Sequence, residues 1–186
     1  MARLPYPDPG SAPDRAREIF ERLPVKLNVM RMMLQAPTCM PAFVRLGAAV
    51  LGQQKLDDRL REIAILRVAA LSGAGYEWTQ HVAIAKAVGV TEEEISAIRD
   101  GNAGALDSGA GLVVKFTNEC VKDVRVSDVI FEEAKAAFSD QEIAELVITI
   151  GYYMLIARFL ETLGVDMEEA PPGMAATIAA GRPRSG

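Results

Sequence analysis

Apolar residues in this chain recur at three- and four-residue spacings, and no stretch of strand length alternates apolar with polar. The pattern predicts helices throughout. Pro13 starts a short helix over 14–22, which Pro24 ends. Asn28 is placed to cap a second helix reaching Gln35, before Pro37, and Thr38 to cap a third reaching about Leu51. Asp57 and Asp58 open a strong helix over 58–72, closed by Gly73 and Gly75. The next covers about 76–88 and stops at Gly89. Thr91 with Glu94 forms a capping box for a short helix to Asp100. After the Gly-rich loop 101–109, helices follow over 110–122 and 128–138, the latter capped by Ser127. Ser139 with Glu142 is a second capping box; it opens the longest helix, to Leu163, with Gly164 as its stop. The expected fold class is all-α, with eight or nine helices.

Three stretches are expected along the chain. Residues 1–24 form an N-terminal arm with a short helix, 25–165 a helical domain, and 166–186 a flexible or partner-wrapping tail rich in Pro and Gly. The three-residue link between helices 58–72 and 76–88 predicts an antiparallel pair. The first of these, and the 140–163 helix, are apolar on more than one face: Ile63 to Leu66 and Val68 to Leu71 leave almost no polar stripe. A helix apolar all round has to be covered all round. Other copies of the chain are expected to supply part of that cover, making a homo-oligomer.

Composition narrows the classes. Half of the 186 residues are hydrophobic, enough for a sizeable core. Twenty basic against 25 acidic residues give a formal charge of −5, which argues against a nucleic-acid partner. The longest apolar run, Leu146–Ala157, is shorter than the ~20 residues of a bilayer span and reads as a buried helix, so no membrane partner is expected. Two distant cysteines, Cys39 and Cys120, exclude a disulfide scaffold, and no Cys-x-x-Cys occurs. The first residues have no secretory apolar core, so the expected compartment is the cytoplasm.

The candidate chemistry lies in polar groups stranded in apolar helices. Glu62 sits in LREIAILRVAAL, where an unpaired carboxylate is costly. Glu77 and His81 are four residues apart and share a helix face. His81 is the only histidine. Folding the second helix back onto the first brings Glu62 within reach of it. Three readings of Glu62–His81–Glu77 stand side by side: a buried pair locking two helices, a proton-transfer group working near neutral pH, and a metal site. Tyr76 and Trp78 flank Glu77 and are candidates to wall a pocket. Arg67, Tyr152, Tyr153 and Arg158 interrupt apolar helices, and a buried arginine can grip a substrate carboxylate.

LDDRLREIAILRVAALSGAGYEWTQHVAIAKAVGVTEEEISAI (56–98) resembles the core of carboxymuconolactone decarboxylase-like proteins, which include the alkylhydroperoxidase D-like enzymes. GYYMLIARFLETLGV (151–165) resembles the closing helix of the longer members, and the two segments starting LNVMRMMLQAP and FVRLGAAVLGQQKL resemble their N-terminal helices. The likeness covers roughly 25–165. It implies an all-α alkylhydroperoxidase D-like bundle that assembles as a trimer, dimer or hexamer. The peroxidase branch carries a Glu, a Cys-x-x-Cys pair and a His. Here the Glu and His fall on Glu62 and His81, while the cysteine positions hold Ala74 and Glu77, so the redox pair is missing. The decarboxylase branch has a Glu at the second cysteine position, needs no metal or organic cofactor, and releases carbon dioxide from a carboxylated lactone.

The resemblance therefore implies a cofactor-independent acid–base enzyme acting on a small carboxylated, cyclic or lactone compound. His81 is the acid/base, Glu77 a second proton carrier or substrate orienter, and Glu62 the group that holds the His81 tautomer. Tyr76, Trp78 and Tyr152 line the substrate site, and Arg67 or Arg158 anchors a remaining carboxylate. The alternatives are a thiol peroxidase using Cys39 or Cys120, and a non-catalytic oligomeric binding protein.

Overall fold

Glycines and capping residues set the helix ends in the computed structural model, which describes residues 1–168. Among the described residues there are nine α-helices and no strand: α1 (Asp14–Arg22), α2 (Asn28–Met33), α3 (Met40–Gly52), α4 (Asp58–Ser72), α5 (Gly75–Ala87), α6 (Glu92–Asp100), α7 (Ser108–Asp123), α8 (Asp128–Ala137) and α9 (Asp140–Leu163). Asp57 accepts from the Arg59 and Leu60 N–H groups and starts α4. Both capping boxes form, Thr91 with Glu94 and Ser139 with Glu142. Ser127 caps α8 as expected. Gly73, with φ of 64°, adopts the left-handed turn that ends α4 and reverses the chain into α5.

Two expected caps do not form. α2 is only six residues long, and its N-cap is Leu27. The Asn28 side chain donates instead to the Asp166 and Met167 carbonyls, at 3.0 and 3.3 Å. The chain then leaves α2 through successive three-residue turns at Leu34, Gln35 and Ala36 rather than continuing to Gln35 as helix. α3 starts at Met40 behind Cys39, without a side-chain cap. Pro41 lies in its first turn, where one missing N–H removes part of the need for a cap.

α4 is the central rod, packed by α5, α6, α7 and α9. That surrounds Ile63 to Leu66 and Val68 completely within one chain, so α4 needs no second copy to cover it. Arg59 fastens its first turn outward, donating to Glu94 of α6 and, at 2.8 Å, to Asp107 ahead of α7. α9 is apolar and long enough to cross a bilayer by length and composition alone, yet it packs on α4, α3, α5 and α7. Its outer face differs: Val147, Ile148 and Leu155 remain exposed.

The N-terminal residues are not detached from this core. Ala12, Ala16 and Phe20 are buried in it, and α1 packs on α3. Of the tail beginning at residue 166, Asp166 accepts from the Ala2 N–H and donates its own N–H to the Tyr6 hydroxyl. Residues 169–186, the rest of that tail, lie outside the described residues.

Candidate active site

The tight α4–α5 reversal lays α5 back along α4 and so brings residues 62 and 81 together. His81 Nδ1 and Glu62 Oε2 are 2.8 Å apart. The other oxygen of Glu62, Oε1, accepts from Arg61 Nε at 3.1 Å and Nη2 at 3.0 Å. Arg61 also pairs with Asp58 one turn earlier. Glu62 and Arg61 are fully buried, so this ion pair stands in low dielectric and is made tolerable by its hydrogen bonds. With Nδ1 facing a carboxylate, the imidazole is fixed in orientation and Nε2 is left for a ligand. The edge of the ring meets Tyr153, centroid to centroid 4.8 Å at 86°.

His81 borders a cavity of about 260 Å³. That is somewhat below the ~300–1,000 Å³ of drug-sized ligand sites and suits a small compound. Its walls are largely hydrocarbon, with Leu27, Val29, Met30, Phe43 and Ile156 among them. The polar groups on it are few: Tyr76, Glu77, Gln80 and His81 from α5, and Tyr152 and Tyr153 from α9. Tyr152 donates to the Phe43 carbonyl at 3.0 Å. Gly47 makes room for that hydroxyl, since a Cβ at 47 would stand 2.5 Å from it.

Glu77 is the unusual member. It is 2% exposed, and among the described residues neither carboxyl oxygen has a hydrogen-bond partner. Burial, reinforced by the Glu161 charge, pushes its pKa well above the ordinary carboxylate value. Burial thus favours its protonated form, at the wall of an apolar hollow that His81 also borders. Such a group can give a proton to a bound molecule.

Of the residues singled out in the sequence, Tyr76, Glu77, His81, Tyr152 and Tyr153 share this cavity, and Glu62 stands behind His81. Trp78 points elsewhere and carries the Arg99 guanidinium 4.4 Å over its ring. Arg67 donates to the Ile98 and Arg99 carbonyls, each at 2.9 Å, and to Asn118 at 2.6 Å. It closes the C-terminal end of α6, where a cation is favoured, and so is committed away from the cavity. Arg158 is exposed and donates to the Met154 carbonyl of its own helix. Cys39 is exposed and Cys120 half-buried; neither lines the cavity, and burial raises the Cys120 thiol.

Arg61 and Gln80 were not anticipated. Neighbouring residues on a helix point about 100° apart, so an i,i+1 ion pair such as Arg61–Glu62 is not read from helical spacing. The one available signal was an arginine beside a glutamate in an otherwise apolar run.

Residues 37–115 match the model of the Carboxymuconolactone decarboxylase family. Among solved structures, the chain is similar to the alkylhydroperoxidase AhpD core of an uncharacterized peroxidase-related protein from Ralstonia eutropha JMP134. The TM-score is 0.76 at 19% identity, covering 91% of this chain and 93% of that one. An uncharacterized peroxidase-related protein from Silicibacter sp. TM1040 superposes with a TM-score of 0.77 at 16% identity, covering 92% and 94%. The debrominase Bmp8, solved with 2,3,4-tribromopyrrole, gives 0.70 at 17% identity, covering 95% and 96%. These likenesses establish the AhpD-like all-α fold. No curated protein matches the chain.

Proposed function

We propose, from the match of residues 37–115 to the carboxymuconolactone decarboxylase family model, that the chain is a cofactor-independent acid–base enzyme for a small carboxylated ring or lactone. The observation that carries this reading is Glu77: a buried carboxyl, without a partner among the described residues, at the wall of the cavity that His81 also borders. A purely structural role gives no reason to keep such a group, which burial penalises without any return in hydrogen bonds. Glu62 holds His81 by Nδ1, and the apolar walls exclude water.

The step is a decarboxylation. The bond from ring carbon to carboxylate breaks, and carbon dioxide leaves. The electron pair stays on carbon, delocalised into a neighbouring carbonyl. His81 or Glu77 then delivers a proton to that carbon, and solvent restores the donor. The debrominase was captured with a small ring compound, which is consistent with a fold able to enclose one. The positions of Cys39 and Cys120 away from the cavity do not favour the thiol-peroxidase alternative.

The test is a panel of carboxylated lactones, 4-carboxymuconolactone included, and cyclic β-keto acids incubated in heavy water. Carbon dioxide release with deuterium at the vacated carbon is expected. Glu77→Gln and His81→Asn should each slow it by about 10²–10⁴-fold while circular dichroism stays native. An inactive parent across the panel, or unchanged turnover in both variants, removes the reading.

Self-association is part of the proposal. Ala144, Ile148, Gly151 and Leu155 fall at helical spacing on the exposed face of α9, with Val147 beside them, a seam suited to the same face of a second copy. Sedimentation at micromolar concentration should give a multiple of the single-chain mass, and Ile148→Glu with Leu155→Glu should return it to one chain. A parent that sediments as a monomer overturns this. An exposed thiol at Cys39 fits a reducing compartment, so the cytoplasm completes the proposal.

A further inference from the structure

A carboxylated substrate needs something to hold its carboxylate, and no arginine lines the cavity among the described residues. Three neutral donors converge beside it instead, two of them on residues that line it. They are the Tyr76 hydroxyl and the Gln80 amide, both from α5, and the backbone N–H of Asn28. Tyr76 and Gln80 line the cavity on either side of Glu77 in sequence.

A carboxylate already sits on this cradle, and it belongs to the chain itself. Glu168 Oε1 accepts from the Tyr76 hydroxyl and, at 2.8 Å, from the Asn28 N–H. Its Oε2 accepts from Gln80 Nε2 at 2.6 Å. Burial, and the Glu168 charge beside it, raise the Tyr76 phenol, so the ring oxygen keeps its proton and acts as donor. Glu168 lies past the end of α9 in a stretch without regular structure, tied down by the Asn28 amide on the Asp166 and Met167 carbonyls. No ion pair of Glu168 is present among the described residues, so it is held by hydrogen bonds alone. Another carboxylate can make those same bonds.

We propose that Tyr76, Gln80 and the Asn28 N–H form a carboxylate-binding site that Glu168 occupies as an internal stand-in, to be displaced by the carboxylate of a small ring compound whose body fills the cavity. The idea deepens the acid–base reading and rests on it for the substrate class. The site itself is testable by binding alone.

The probe is benzoate, with benzamide as its uncharged counterpart, titrated calorimetrically into the full chain. A site closed about 90% of the time by its own side chain loses ten-fold in apparent affinity. Glu168→Ala should therefore bind benzoate about ten-fold more tightly than the parent, with benzamide unchanged. Adding Tyr76→Phe should abolish the gain. If Glu168→Ala does not fold, Glu168→Gln, which keeps the shape without the charge, is read in the same way. Equal benzoate affinity in parent and variant overturns the proposal, as does a gain shared by benzamide, which would mean only a wider opening. Repeating the titration in Glu77→Gln separates the two readings. A gain that persists there upholds the carboxylate site even if the turnover panel has failed.

Discussion

Glu77→Gln should yield a protein that is more stable at neutral pH and has no proton to give from that position. The sign follows from linkage. Folding raises the Glu77 pKa well above its ordinary value near 4.5, because burial disfavours the charge and Glu161 adds to that. Between about 4.5 and the folded value, the folded chain keeps a proton that the unfolded chain has released. Stability contributed at this position is thus present at acid pH and is lost as pH rises through that window. Glutamine has a similar shape and nothing to ionise. The substitution is worth about 1–3 kcal/mol at pH 7–8, or several degrees in melting temperature for a chain of this size. Melting curves for parent and variant should converge near pH 4.5 and separate as pH increases. Parallel curves would show that Glu77 is not held protonated, and the proton donor would have to be sought elsewhere.

Glu62→Ala is expected to act in the opposite direction and more strongly. It removes the acceptor of three hydrogen bonds, two from Arg61 and one at His81 Nδ1. Arg61 is 1% exposed and, among the described residues, keeps its contact to Asp58 alone. Breaking one partner out of a buried ion pair costs about 3–5 kcal/mol, since the surviving charge stays desolvated. At this chain length, the melting temperature should fall by roughly 10 °C. Glu62→Gln, whose amide oxygen still accepts, should lose less. Thermal melts of both variants decide it. A drop under ~1 kcal/mol for Glu62→Ala would mean that water reaches Arg61 and that the pair does not set the His81 orientation.

The helices were legible because their ends are written in local chemistry. The capping boxes at Thr91 and Ser139, and the glycines at 73 and 164, act within four residues of themselves. Glu77 and His81 were legible for the same reason, being one helical turn apart, and the Glu62 contact needed only the tight reversal between α4 and α5. What failed depended on distant chain. Asn28 has the side chain of a cap, but its amide is drawn to carbonyls 138 and 139 residues away. Arg67 looked like a buried cation awaiting a substrate. Its guanidinium serves the last carbonyls of α6, a helix whose approach no local pattern announces. The cradle under Glu168 joins residues 28, 76, 80 and 168, and no spacing rule connects those positions.

The cavity's walls are drawn from separated parts of the chain. Glu62, Glu77 and His81 all fall inside the stretch that matches the family model, residues 37–115. Much of the enclosure does not: Leu23, Leu27, Val29 and Met30 precede that stretch, and Tyr152 and Ile156 follow it. The walls of the hollow are thus shared between that stretch, which supplies Phe43, Gly47, Tyr76 and Gln80, and the chain on either side of it. Substitutions in the flanking pieces would reshape the hollow without touching the Glu62–His81 contact.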